Sequence, residues 1–259
     1  MSNMEIQPFL ERIGYLGSTD VTLETLTALQ RAFLLSVPFE NLDIHFDDKT
    51  QLSFTAFYEK IVDHRRGGLS YECNGLFHAM LRAMGFDVQL LSARIVLGSE
   101  LTPEYDHMVL LVTFGQDTEQ QQSYLVDVGI GQSCAEPVAL GQAEEYVSEK
   151  CRYRLGDHQG QQALFYKSAK SDWQPRFVFS QESQALVDFA AMYRFHQSSE
   201  QSAFTQGQLV TMMTPTGRVT LNGMSLSIVD GDARDVRELA SQDDYFECLK
   251  QHFDIEFES

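Results

Sequence analysis

Three residues in this sequence carry side chains that acyl-transfer chemistry uses: Ser70, His107 and Asp127. A hydroxyl nucleophile needs a base to take its proton, and the base needs a partner that fixes its tautomer and orientation. Ser70 lies in Arg66-Gly67-Gly68-Leu69-Ser70-Tyr71-Glu72-Cys73-Asn74-Gly75, where a double glycine runs into a small nucleophilic side chain. His107 immediately precedes the strand-like run Met108 to Val112. Asp127 interrupts Tyr124 to Val128, an otherwise apolar run in which a carboxylate is costly unless paired. The three match a triad by residue type, but triads are recognised by geometry rather than chain order. Each also has an ordinary reading: a helix-capping serine, a polar residue at a strand start, an outward-facing acid. Gly129-Ile130-Gly131 follows Asp127. Two glycines permit close backbone approach to a ligand, although a Gly-x-Gly pair by itself usually marks a turn.

An amphipathic helix is expected to begin at the nucleophile. Leu76, Phe77, Met80, Leu81 and Met84 recur at helical spacing, and Gly85 is a natural stop with Arg82 in the last turn. Ser70 should therefore sit at a helix N-terminus, where unpaired N–H groups and the positive dipole end favour developing negative charge. Upstream, residues 7–85 read as mostly helical, with segments at Phe9 to Leu16, Thr22 to Leu35 and Phe54 to Asp63, and a turn at Pro38 to Leu42. From Asp87 the period changes to short β-rich runs: Val88 to Leu91, Arg94 to Leu97, Met108 to Val112, Tyr124 to Val128, Arg152 to Leu155, Ala163 to Tyr166 and Arg176 to Phe179. Many short strands in one block suggest a small barrel or sandwich. A helix follows at Leu186 to Phe195, then strands at Gln208 to Met213, Arg218 to Leu221 and Ser225 to Val229, and a last helix at Tyr245 to Phe253. Helices, then strands, then a mixed tail make an α+β protein rather than an alternating βαβ one.

The 259 residues carry a formal charge of −18. Such a field argues against nucleic acid or an anionic membrane as partner, and any anionic ligand must be held by local groups. With 43% hydrophobic and 11% aromatic residues a large core is expected. The start Met1-Ser2-Asn3-Met4-Glu5 has no export signal, and no apolar run reaches the roughly 20 residues of a membrane span. The cysteines Cys73, Cys134, Cys151 and Cys248 show no metal-type spacing, so buried thiols in the cytoplasm are expected, with no metal.

Six stretches then resemble the arylamine N-acetyltransferase family. Arg12-Ile13-Gly14-Tyr15 and Val37-Pro38-Phe39-Glu40-Asn41-Leu42-Asp43 look like its two early signatures. Arg66 to Gly75 resembles its Arg-Gly-Gly-x-Cys-x-Glu-x-Asn-Gly motif, and His107 to Val112 the segment opening with its catalytic histidine. Val126 to Gly131 resembles its Val-Asp-Val-Gly-Phe-Gly segment with the catalytic aspartate, and Thr214 to Leu221 its Thr-Pro-x-Gly-Arg-x-Thr-Leu segment. The resemblance implies an N-terminal helical bundle (1–86) carrying the nucleophile, a central β-barrel (87–188) carrying histidine and aspartate, and a C-terminal α/β lid (189–259). It implies ping-pong acetyl transfer: acetyl-CoA acylates residue 70, and an arylamine or hydrazine takes the acetyl group. The donor's pyrophosphate would lie at Gly129 and Gly131. Phe39, Tyr71, Val96, Ile130 and Phe204 would line the acceptor pocket.

Departures from the family pattern matter as much. The family's nucleophilic cysteine is replaced by Ser70. A serine hydroxyl is far less acidic than a thiol and needs full general-base help. Acyl transfer from a thioester to serine runs downhill and leaves an oxygen ester, a poorer donor to an amine. The expectation is an enzyme impaired or trapped at the acyl stage, through a deliberate nucleophile replacement or as a natural variant; the otherwise intact motif favours replacement. Cys73 is expected to be a small buried residue rather than a displaced nucleophile. Ile130 replaces the usual aromatic, and Asp188 to Phe204 lacks parts of the pattern that many bacterial members have. The alternatives are an amide synthase that releases or cyclises a polyketide or peptide chain held as an acyl thioester on an acyl carrier protein, or an inactive ligand-binding homologue.

Overall fold

A computed structural model describes residues 4–46, 49–115, 121–131, 134–142, 145–147, 151–168 and 171–257. The N-terminal part holds α1 (Ile6–Arg12), α2 (Leu23–Ser36), the two-residue strand β1 (Phe39–Glu40), α3 (Leu42–His45), α4 (Phe54–Tyr58) and α5 (Ser70–Ala83). Helix α2 begins where the sequence supplies a cap: Thr22 Oγ1 accepts from the Thr25 N–H at 3.1 Å. Its Leu26, Leu29 and Phe33 are fully buried, and Phe33 meets Phe77 of α5 edge-on at 5.4 Å. Helix α4 runs into a π-helical turn, Glu59–Asp63, which turns Lys60, Ile61 and Val62 inward together. Such turns recur near functional sites.

Next come β2 (Asp87–Leu97), β3 (Glu100–Leu101), β4 (His107–Phe114), β5 (Gln122–Val126), β6 (Val138–Ala139), β7 (Tyr146–Val147), β8 (Cys151–His158), β9 (Gln161–Ser168) and β10 (Gln174–Gln184). They form an antiparallel sheet in the order β6-β5-β4-β2-β10-β9-β8-β7, with β3 beside β2. The sheet curls until β6 approaches β8, so the barrel is nearly closed. Asp87 to Leu97 is one continuous strand, where the sequence suggested two. Strand β4 reads as an unbroken apolar run because both its faces are covered. Met108, Leu110 and Val112 pack under the helices, whereas Val109 and Leu111 face the barrel interior. By that alternation His107 shares the interior face with Val109.

After a 3-10 turn (Leu186–Phe189) come α6 (Ala190–Ser198), then β11 (Leu209–Thr214), β12 (Gly217–Asn222), β13 (Ser225–Asp230), β14 (Ala233–Glu238) and α7 (Gln242–Phe253). The second sheet has the order β1-β11-β12-β13-β14, and Tyr245, Cys248, Leu249 and Phe253 of α7 pack in its core. The α+β architecture expected from the sequence is the one observed. Strand β14 was not expected; every one of its residues is exposed, so no apolar alternation announces it. Because β1 leaves the helical segment to pair with β11, a cut at residue 86 would part that strand from its sheet. No helix among the described residues is long and apolar enough to cross a membrane.

Candidate active site

Ser70 is the first residue of α5, as the spacing predicts, but it is not a cap. The Glu72 carboxylate does that work, accepting from the Leu69 N–H at 2.6 Å. The Ser70 hydroxyl is left to accept from the Met108 N–H of β4, a long contact of 3.4 Å. Gly129 sits against the same turn: a Cβ there would lie 2.7 Å from Ser70 Cα and 2.6 Å from Asn74 Nδ2. Its bare backbone lets the barrel loop touch α5.

His107 and Asp127 meet beside it. His107 Nε2 is 3.0 Å from Asp127 Oδ2, and both side chains are buried. Asp127 also accepts from Asn74 Nδ2 at 3.0 Å and from the Gly129 N–H at 2.8 Å. Burial opposes its charge, but His107, Asn74 and Gly129 outweigh that, so the carboxyl is held below its usual range. Asn74 is the residue that sequence reasoning missed. It also donates to the Met108 carbonyl at 2.7 Å and accepts from the Val128 N–H at 2.9 Å, joining α5, β4 and the aspartate loop. A polar residue four positions after Ser70, on the same helix face, was the available signal.

Beside the start of α5 lies a buried charge cluster. Lys60 Nζ is 2.6 Å from Asp43, 2.9 Å from Glu72 and 3.7 Å from Glu40. Arg66 reaches Glu40 at 2.9 Å and Asp43 at 2.7 Å. For Asp43, burial raises the pKa, but Lys60 and Arg66 more than reverse it. For Glu72, burial wins and the carboxyl is raised despite Lys60. Tyr193 of α6 donates to Glu72 Oε1 at 3.2 Å. Arg12 binds the Ile61, Ser36, Arg65 and Arg66 carbonyls, so the loop entering α5 is fixed from two sides.

A cleft of about 450 Å³ opens over these groups. Ser70, His107 and Gly129 line it, with Phe39, Val96, Ile130 and Phe204 as its apolar wall and Asp106 and Arg176 among its polar groups. The Phe39 and Phe204 rings stand 5.9 Å apart.

Residues 22–259 match the family model described as N-acetyltransferase. The chain is 32% identical to the arylamine N-acetyltransferase of Mycolicibacterium smegmatis, over 98% of this chain and 92% of that one. It is 28% identical to human arylamine N-acetyltransferase 1, over 97% and 94%. The chain belongs to the arylamine N-acetyltransferase family. Its fold is similar to that of the Mycobacterium marinum enzyme solved in complex with CoA: TM-score 0.88, 31% identity, 97% of this chain and 93% of that one. The Salmonella typhimurium enzyme gives a TM-score of 0.89 at 27% identity, over 100% and 93%. Members are acyltransferase enzymes, and this chain is one of them.

Against that background two expected site residues of this N-acetyltransferase are corrected. Tyr71 does not line the cleft. It is 1% exposed, its hydroxyl donates to the Tyr105 and Asp106 carbonyls, and its ring packs on Phe189 and Tyr193. One step along α5 from Ser70 turns a side chain by about 100°, away from the cleft and into the core. Gly131 is also outside the cleft lining. It holds φ +69°, and a Cβ there would meet Thr211 Cγ2 of β11 at 2.5 Å, so its glycine serves the seat of the lid. Gly129 does line the cleft, yet its N–H and that of Val128 are already bonded to Asp127 and Asn74. Cys73 is fully buried with its thiol pushed well up by burial, and Sγ contacts the Gly68 carbonyl at 3.4 Å. No group of residues arranged to hold a metal ion occurs among the described residues.

Proposed function

We propose that this protein moves an acetyl group from acetyl-CoA to an aromatic amine or hydrazine in two half-reactions through residue 70. The observation that carries the reading is Ser70 at the head of α5, in the cleft that His107 lines, with His107 Nε2 held on Asp127. Asp127 occupies Nε2, so Nδ1 is the nitrogen for the Ser70 proton. In the first half-reaction Ser70 Oγ attacks the thioester carbonyl, His107 takes the proton and passes it to the leaving thiolate. In the second, an amine attacks the Ser70 acetyl ester, and His107 takes the amine proton and returns one to Oγ. The α5 N-terminus faces the developing oxyanion with its dipole. The turn after Asp127 would meet the donor through the Ile130 N–H, since those of Val128 and Gly129 are engaged and Gly131 lies outside the cleft lining. The solved CoA complex of the Mycobacterium marinum relative supports CoA as the donor's carrier. Buried Cys73 and Cys248, in no disulfide, agree with a reducing compartment such as the cytoplasm.

Serine makes the second half-reaction the slow one, so acetylated protein should accumulate. Intact-mass analysis after mixing with acetyl-CoA should show a gain of one acetyl group that Ser70→Ala abolishes. Ser70→Cys should turn over acetyl-CoA with a panel of aromatic amines. If Ser70→Cys neither acetylates itself nor any amine, the reading fails. Acylation by carrier-protein thioesters but not by acetyl-CoA would move the assignment to an amide synthase.

A further inference from the structure

Arg176 is the one lysine or arginine among the described residues lining the cleft. It occupies an irregular point of β10. Pro175 pairs with Phe165 and Phe177 with Leu164, which leaves Arg176 as the extra residue of a β-bulge. Bulges re-aim side chains and gather beside active sites. Arg176 Nε is buried with no hydrogen-bond partner, and the guanidinium stands 5.5 Å from the ring centre of Tyr166, another cleft residue. A buried donor without a partner is costly unless a ligand completes it. The other charged groups at the cleft are engaged. Asp106 is bonded to His196 at 3.1 Å, and His107 to Asp127. In a chain of net charge −18, a cleft arginine whose buried Nε has no hydrogen-bond partner marks a local anion site.

We infer that Arg176 is a specificity-determining residue that binds an oxyanion of a substrate. The class favoured is an aromatic amine with an anionic ring substituent, such as an aminobenzoate. Its ring would rest on Phe39, Phe204 and Ile130, its carboxylate on the guanidinium, and its amine toward Ser70. A donor phosphate offers the same chemistry from the other substrate. The inference rests on the cleft being the acyltransfer site proposed above.

Binding separates the cases without requiring turnover. Calorimetry on the unaltered protein, Arg176→Gln and Arg176→Lys would use 4-aminobenzoate, its neutral ethyl ester, CoA and pantetheine, with thermal melts confirming that each variant is folded. Arg176→Gln should weaken 4-aminobenzoate roughly ten- to a hundredfold, leave the ethyl ester within about twofold, and Arg176→Lys should recover part of the loss. A loss confined to CoA, with pantetheine unaffected, assigns the oxyanion to the donor. Unchanged binding of both anions in Arg176→Gln overturns the inference while leaving the proposed function intact. Failure of the unaltered protein to bind either the amines or CoA overturns the proposed function instead.

Discussion

Asp106 and His107 are neighbours in the chain, yet they belong to two different histidine–carboxylate pairs. His107 turns to Asp127 at 3.0 Å, with Ser70 heading the adjacent helix. Asp106 turns to His196 at 3.1 Å, and the other ring nitrogen of His196 is 3.1 Å from Ser202 Oγ. Both sets hold serine, histidine and aspartate. Ser202, however, accepts from the Phe204 N–H, caps the short turn Ala203–Thr205 and is 1% exposed. Ser70 caps nothing, faces the cleft and heads a 14-residue helix. The second set fastens the lid to the loop before β4 and so holds the Phe204 wall. Residue types alone do not separate the two sets; access and what else binds the hydroxyl do.

The comparison is broken most sharply by removing each carboxylate. In a Ser70→Cys background, Asp127→Asn should lower kcat/KM on the order of 10⁴-fold, the cost of this change in other triads. Asp106→Asn should cost less than about tenfold, since it only loosens a wall. Equal losses would erase the distinction. Iodoacetamide gives a second readout: the new thiol should alkylate rapidly below pH 8.5, its usual pKa being near that value, and His107→Gln should abolish this. Cys73 and Cys248 add little background, because burial raises both thiols.

Next in size is the charge cluster that Glu72 ties to the first turn of α5. Lys60→Met leaves Glu72 without a cation and Asp43 and Glu40 with Arg66 alone, and should destabilise by about 3–5 kcal/mol in urea titrations. A loss below about 1 kcal/mol would show that the cluster is not a support.

A histidine outside both sets supplies the control for pH. His78, stacked on Phe54 at 5.4 Å, is lowered from 6.5 to about 4, chiefly by burial and secondarily by Arg82. The unfolded chain therefore binds more protons between those values, and stability falls as pH drops from about 6.5 to about 4. The total is on the order of 3 kcal/mol, and His78→Gln should flatten that slope. Asp106 and Asp127 act in a lower window. Both are depressed in the fold, so their contribution is present above the ordinary carboxylate pKa and is lost as pH falls through the folded value. A slope unchanged by His78→Gln would refute the assignment.

The smallest effect is expected at Ser202. Ser202→Ala removes a cap worth about 1 kcal/mol. It should raise the acceptor KM through Phe204 while leaving acetylation of residue 70 unchanged. A matching loss in both half-reactions would place Ser202 in the chemistry.

What the sequence showed depended on burial and reach. Leu26, Leu29 and Phe33 announced α2 because one face is buried, and β4 was visible because both of its faces are. Strand β14, wholly exposed, left no pattern. The charge of Asp127 in an otherwise apolar run of sequence marked it correctly as paired, because an unpaired carboxylate there would be costly. Asn74 and Lys60 were overlooked because their partners lie on other elements, and side-chain direction at that distance is set by packing. Tyr71 was misassigned because adjacency in a motif does not mean a shared face of a helix.

The pairing of β1 with β11 has a consequence for the order in which the protein takes shape. Asn41, beside β1, bonds the Leu209 N–H 168 residues away, and Phe39 of the cleft wall pairs with Thr211. Ser70, His107 and Asp127 all emerge from the ribosome before β11 exists. At about 5–20 residues per second the N-terminal strand waits roughly ten to thirty seconds for its partner. During that interval the cleft lacks a wall and β1 has an open edge, so the chain is most exposed to misassociation when its chemical groups are already made but not yet enclosed.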